Sequence, residues 1–112
     1  MDFQETDTQR SIREAMDRLC ARFGDAYWLE ADRSARFPHD FHRAMADEGW
    51  LGICMPEAVG GAGLGVTEAA VMMQAIAQSG AGMTGASAVH MNIFGPMPVV
   101  VFGTEAQKAR ML

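Results

Sequence analysis

Pro56-Glu57-Ala58-Val59-Gly60-Gly61-Ala62-Gly63-Leu64-Gly65 divides the chain into two halves of different chemistry. Upstream residues are rich in charge and repeat at helical spacing, whereas downstream residues are small, apolar and nearly uncharged. Four glycines in the six residues from Gly60 to Gly65 exclude an ordinary helix or strand interior, because glycine gives up the most backbone entropy on ordering. Such a run is kept where the backbone turns tightly, takes positive φ, or approaches another backbone or a ligand closely. A dinucleotide fingerprint needs Gly-x-Gly-x-x-Gly after a buried strand, with an acidic residue about 20 positions on. Here the order is Gly61-x-Gly63-x-Gly65, without alternation of strands and helices. A P-loop needs a lysine beside its last glycine, and the first lysine in the chain is Lys108. The stretch therefore reads as a structural connector.

Working outward, Thr6 to Phe23 has the pattern of an amphipathic helix. Ile12, Ala15, Met16, Leu19, Cys20 and Phe23 recur at spacings of three and four, with Arg10, Arg13, Glu14, Asp17, Arg18 and Arg22 opposite. Gly24 weakens or ends it. Tyr27, Trp28 and Leu29 form an apolar cluster, and Glu30 to Arg36 reads as a polar connection with a short helical turn. Phe37-Pro38 opens a second helix carrying Phe41, Ala44, Met45 and Glu48, and Gly49 is its natural stop. Trp50 to Met55 is short and apolar, with strand and loop both open.

Beyond the glycines, Val66 to Ser79 is expected to be helical, with Val66, Ala69, Ala70, Met73, Ile76 and Ala77 on one broad face. Met83 to Phe94 is a further helix, apolar or small nearly all round. It is read as buried and not as membrane-spanning, since a span takes about 20 uninterrupted apolar residues and Gly95-Pro96-Met97-Pro98 breaks this run. Val99 to Phe102 reads as a short buried turn of helix. Thr104 and Gln107 have the spacing of a capping box for a last helix. The expected fold is all-α, a small bundle of about four to six helices with a glycine-rich connector in the middle. Residues 1–112 are expected to form a single helical domain, and the end of the sequence inside a helix suggests a chain that stops early.

Charge narrows the function. The net charge is −5, with no basic stripe for nucleic acid. Between Gly49 and Gly103 the only charged residues are Glu57 and Glu68. Such a half is built to be covered by another domain, another subunit or a ligand. Cys20 and Cys54 lack paired spacing and read as reduced thiols of a cytoplasmic protein, and the acidic N-terminus has no secretory pattern.

No nucleophile–base pair or carboxylate dyad follows from spacing. His39 and His42 lack further ligands in range and read as surface groups, not a metal site. His90 is the one ionisable group on the apolar helix, so it hydrogen-bonds a neighbouring segment or faces a cavity. Thr84, Ser87 and Asn92 share that helix, which has the composition of a pocket lining: mostly apolar with a few placed polar groups. The ten methionines fill a core or suit a long apolar ligand.

The sequence resembles the N-terminal α-helical domain of the acyl-CoA dehydrogenases. The resemblance is carried by Phe37-Pro38, Glu48-Gly49-Trp50, Leu51-Gly52-Ile53, Met55-Pro56-Glu57, Gly60 to Gly65, Glu68-Ala69-Ala70 and Phe102-Gly103-Thr104-Glu105-Ala106-Gln107-Lys108, in order over nearly the whole chain. It implies an FAD-dependent oxidoreductase acting on the CH–CH bond of an acyl-CoA thioester, in which a glutamate takes the α-proton and the β-hydride goes to flavin N5. The base and most FAD contacts belong to middle and C-terminal domains that this sequence does not include. FAD is therefore expected only in the complete enzyme. The resemblance further implies that the helix from Met83 to Phe94 lines the acyl cavity, with Ala86, Ser87, Val89, His90 and Phe94 as substrate-binding residues. The missing domains, or a partner chain, would cover the apolar half, and the isolated chain is expected to oligomerise or self-associate. A non-catalytic interaction or acyl-binding module derived from the family is the alternative.

Overall fold

The first helix, α1 (Asp7–Cys20), starts where its sequence provides a reciprocal cap. In the computed structural model, which describes all 112 residues, the Gln9 amide donates to Thr6 Oγ1 at 3.2 Å and the Thr6 amide to Gln9 Oε1 at 3.0 Å. Amides that the helix cannot satisfy internally are thereby satisfied. Ile12, Met16, Leu19 and Cys20 form the buried face. The helix ends before Phe23, and Gly24 serves as N-cap of α2 (Asp25–Arg33). The segment expected as a cluster and a connection is thus a helix. Trp28 is its only buried residue, so no repeat marks it in the sequence. Trp28 Nε1 donates to the Phe23 carbonyl at 3.1 Å, and its ring meets Phe41 edge-on at 5.0 Å. Phe23 also meets Phe41 edge-on, at 5.5 Å.

Helix α3 (His39–Asp47) follows Pro38 and buries Phe41, Ala44 and Met45; Gly49, at φ 81°, ends it. Trp50 to Met55 is not a strand. Trp50–Gly52 is a 3-10 turn, and the following turn buries Ile53 and Met55. The glycine stretch folds back over this segment. Gly61 donates to the Pro56 carbonyl (3.0 Å), Ala62 to Gly52 (3.0 Å), Gly63 to Met55 (2.8 Å) and Leu64 to Ile53 (3.0 Å). Those carbonyls are engaged by the loop and have no neighbouring strand. At Gly61 a Cβ would collide with the Met55 carbonyl, so the close approach itself requires glycine.

Helices α4 (Val66–Gln78), α5 (Gly82–Phe94), α6 (Met97–Phe102) and α7 (Glu105–Met111) complete an all-α chain without strands. Two of these, α6 and α7, are short, and the whole is the small helical bundle expected from the sequence. α4 packs against α1 and α5, and α3 also packs on α5. The molecule measures 42 × 38 × 21 Å, and its short dimension holds two layers of helices about 10–12 Å across. One core joins them, centred on Met16, Phe41, Met45, Met72, Ile76 and Val89.

Two expectations for the second half do not hold. Gly95 and Pro96 keep right-handed helical backbone, and proline suits the first turn of α6, so they do not break the apolar run. Gly82–Phe102 is a 21-residue stretch of mean hydropathy 1.3, long and apolar enough to cross a membrane by length and composition; 17% of its most apolar window is buried. The turn Val99 to Phe102 is also not buried: Val101 is 61% exposed and Phe102 85%. α6 packs chiefly on α7, which leaves its outer face open. The cap of α7 is as expected, with Gln107 donating to Thr104 Oγ1 at 3.2 Å and Thr104 donating back to Gln107 Oε1 at 2.8 Å. The accessible surface is 7119 Å², against about 6,000 Å² for a compact monomer of this mass.

Candidate functional site

Helix α4 carries a single charge, Glu68, and a polar edge of Gln74 and Gln78 that accepts from Arg13 of α1, and its remaining surface is apolar or small on two faces. Ala69, Met72, Ala75 and Ile76 are buried in the core. Val66, Ala70 and Met73 lie beside them and form one wall of a groove of about 610 Å³. His90, Ile93, Phe94 and Met97 of α5 and α6 form the other wall, and Cys54, from the turn before the glycine connector, and Leu64, within it, complete the lining. The broad face expected from Val66 to Ala77 is thus divided between core and groove. Nine of the eleven lining residues are hydrophobic, and the volume lies in the range of about 300–1,000 Å³ usual for small-molecule sites.

The five residues singled out in the sequence do not converge. His90 and Phe94 line the groove with ring centroids 4.3 Å apart. Ala86 and Val89 are turned into the core, Val89 with no exposed surface. Ser87 opens on another side of α5, onto a shallower groove with Arg36, Phe37, Met83 and Met91. Asn92 has a structural partner: its Oδ1 accepts from His42 Nε2 at 3.0 Å, which ties α5 to α3. Sequence reasoning missed Ile93 and Met97, although both continue the i+3, i+7 spacing from His90. It also did not pair α5 with α4, since nothing in either segment names its neighbour.

Polar chemistry around the groove is mostly committed. Cys54 Sγ donates to the Gly65 carbonyl at 3.4 Å. Burial, and then the nearby Glu68 carboxylate, push its pKa above the ordinary thiol value, which keeps it protonated and weakly nucleophilic. Cys20 is held up in the same direction by burial. Glu68 accepts from Gln9 Nε2 (3.0 Å) and from the Gly65 amide (3.1 Å), tying the start of α4 to the start of α1. The Gln9 hydrogen bond leads the causes that lower its pKa. It is a cap and not a free base. No group of three metal-ligating side chains converges anywhere in the chain.

A family model described as acyl-CoA dehydrogenase, N-terminal domain, matches residues 6–112. The chain belongs to the acyl-CoA dehydrogenase family. It is 29% identical over 110 residues to the acyl-CoA dehydrogenase FadE12 of Mycobacterium tuberculosis, covering 98% of this chain and 28% of that protein. It is 33% identical over 89 residues to benzylmalonyl-CoA dehydrogenase of Aromatoleum aromaticum, covering 80% of the chain and 24% of the relative. Acryloyl-CoA reductase (NADH) of Anaerotignum propionicum is 28% identical over all 112 residues, which span 28% of it. The chain therefore spans about a quarter of the length of these relatives. No solved structure matches.

The residues that could hold the diphosphate of FAD can be tested at the connector and the groove of this acyl-CoA dehydrogenase domain. Every amide from Gly60 to Gly65 is engaged within the chain, including Gly60 with Glu57 (2.9 Å) and Gly65 with Glu68 (3.1 Å). The connector therefore has no free N–H groups for a diphosphate. No arginine or lysine lines the groove. Its walls suit a hydrocarbon chain.

Proposed function

We propose that this chain is the N-terminal helical domain of an FAD-dependent acyl-CoA dehydrogenase that forms the α,β double bond of an acyl-CoA thioester. The groove between α4 and α5 supplies part of its acyl-chain wall. The observation that carries the reading is that groove, apolar on both sides, in a chain whose family acts on acyl thioesters. The catalytic base and the FAD site belong to domains or a partner chain beyond these residues. Exposed Met83, Met91, Val101 and Phe102 on α5 and α6 support packing against those domains, and self-association when they are absent. The free thiols Cys20 and Cys54 support a reducing, cytoplasmic setting.

The test uses the complete enzyme carrying this domain. It is expected to hold flavin, to lose its visible absorbance on anaerobic addition of an acyl-CoA, and to pass electrons to a dye. Ala70→Trp, which narrows the groove, shifts the preference toward shorter acyl chains. A protein without flavin that still binds acyl-CoA through this groove would instead establish an acyl-binding module derived from the family.

A further inference from the structure

The groove is apolar except at one place. Of the three imidazoles in the chain, that of His42 alone is hydrogen-bonded internally, to Asn92. His90 has its ring laid against Phe94 at 4.3 Å, and both line the groove. The other polar side chain there, Cys54, already donates to the Gly65 carbonyl. His90 is therefore the one lining side chain with an uncommitted donor and an uncommitted acceptor. The neutral imidazole presents one nitrogen of each kind. A plain alkyl tail laid along the groove removes water from that ring and returns no hydrogen bond, which leaves polar atoms unsatisfied. A tail bearing a hydroxyl group satisfies the ring in either tautomer, because a hydroxyl both donates and accepts.

The geometry points to His90 as a specificity residue that selects acyl-CoA substrates with a hydroxyl group on the acyl tail over their unsubstituted counterparts. This rests on the acyl-CoA dehydrogenase reading of the groove. Phe94 packs its tilted ring against the imidazole and positions it, and the apolar surface of Met73 and Met97 in the same groove receives the carbon chain. Sites built to hydrogen-bond a substrate hydroxyl reject the analogue that lacks it more strongly than apolar pockets reject an added methylene. His90 is exposed at the groove surface, so its replacement leaves the core intact.

The experiment compares kcat/KM of the complete enzyme for two acyl-CoAs of equal chain length, one ending in a methyl group and one in a hydroxymethyl group. A series of chain lengths brings the tail group to the depth of His90. The wild-type enzyme is expected to favour the hydroxylated substrate about tenfold or more at the best length. His90→Leu is expected to remove or reverse that preference, and His90→Gln, which keeps a donor and an acceptor, to retain part of it. The ratio is taken on one protein sample, so loss of active fraction cancels. Equal kcat/KM for both substrates in the wild type, or an unchanged ratio in His90→Leu, overturns the inference while leaving the dehydrogenase reading in place. Oxidation of neither series, with no bound flavin, overturns the underlying reading and this inference with it.

Discussion

The half of the molecule around Phe41 and the half around α5 are built by the same helix physics and end in opposite states. In the first, α1, α2 and α3 close an aromatic cluster and turn charged faces to solvent, with Arg22, just past α1, pairing at 3.0 Å to Glu48 at the end of α3. In the second, α4 to α6 have their apolar surface on several sides and only part of it is covered within the chain. A helix gains a unique inside only when polar residues mark its outside. Where they are missing, the uncovered faces become a groove and a surface for other elements.

The closed half depends most on Phe41, which has no exposed surface. Phe41→Ala is expected to cost about 3–5 kcal/mol of unfolding free energy in a denaturant titration; a loss under about 1 kcal/mol would mean that the first half does not close around this ring. Next comes the connector between the halves. Gly61→Ala forces the loop off the Met55 carbonyl and is expected to cost roughly 2–3 kcal/mol, seen as a lowered Tm together with faster amide exchange at Ala62 to Leu64.

Thr104→Ala removes the cap of α7 and is expected to cost about 1 kcal/mol, confined to amide exchange in Glu105–Met111. Phe102→Ser tests the open half directly. At 85% exposure it is expected to change the stability of the isolated chain by no more than about 0.5 kcal/mol, while reducing self-association in sedimentation and binding of a hydrophobic dye. A large stability loss would show instead that α6 is closed within the chain.

The smallest effect concerns pH. The carboxyls of Glu5 and Glu68 have folded pKa values below the ordinary 4.5, through hydrogen bonds from Arg13 and Gln9 respectively. As pH falls, the unfolded chain takes up these protons first, so their stabilisation is full above the ordinary value and disappears as pH falls through the lowered folded one. Glu68→Gln is expected to shrink the loss of denaturation midpoint between about pH 6 and about pH 3; an unchanged acid limb would assign the sensitivity to other carboxylates.

Legibility followed contrast. Ile12, Met16 and Leu19 could be read as a buried face because arginines and acids alternate with them, and the Thr104–Gln107 cap could be read because its spacing has one geometry. Helix α2 could not, since Trp28 alone is buried in it. His90 and Phe94 lie one turn apart on the groove side of α5, whereas Ala86 and Val89 of the same helix face the core, a division that no polar residue on α5 marks in the sequence.

By itself the sequence determined the all-α character, most helix ends, the structural role of the glycine connector and the family. Those depend on local chemistry: caps, breakers, spacing and the order of motifs. Only the tertiary structure decided which sides of α4 and α5 face inward, and hence that His90, Phe94, Met73 and Cys54 share one groove. A helix that is apolar all round can bury any of its faces, and the choice among them is made by the helices that pack against it.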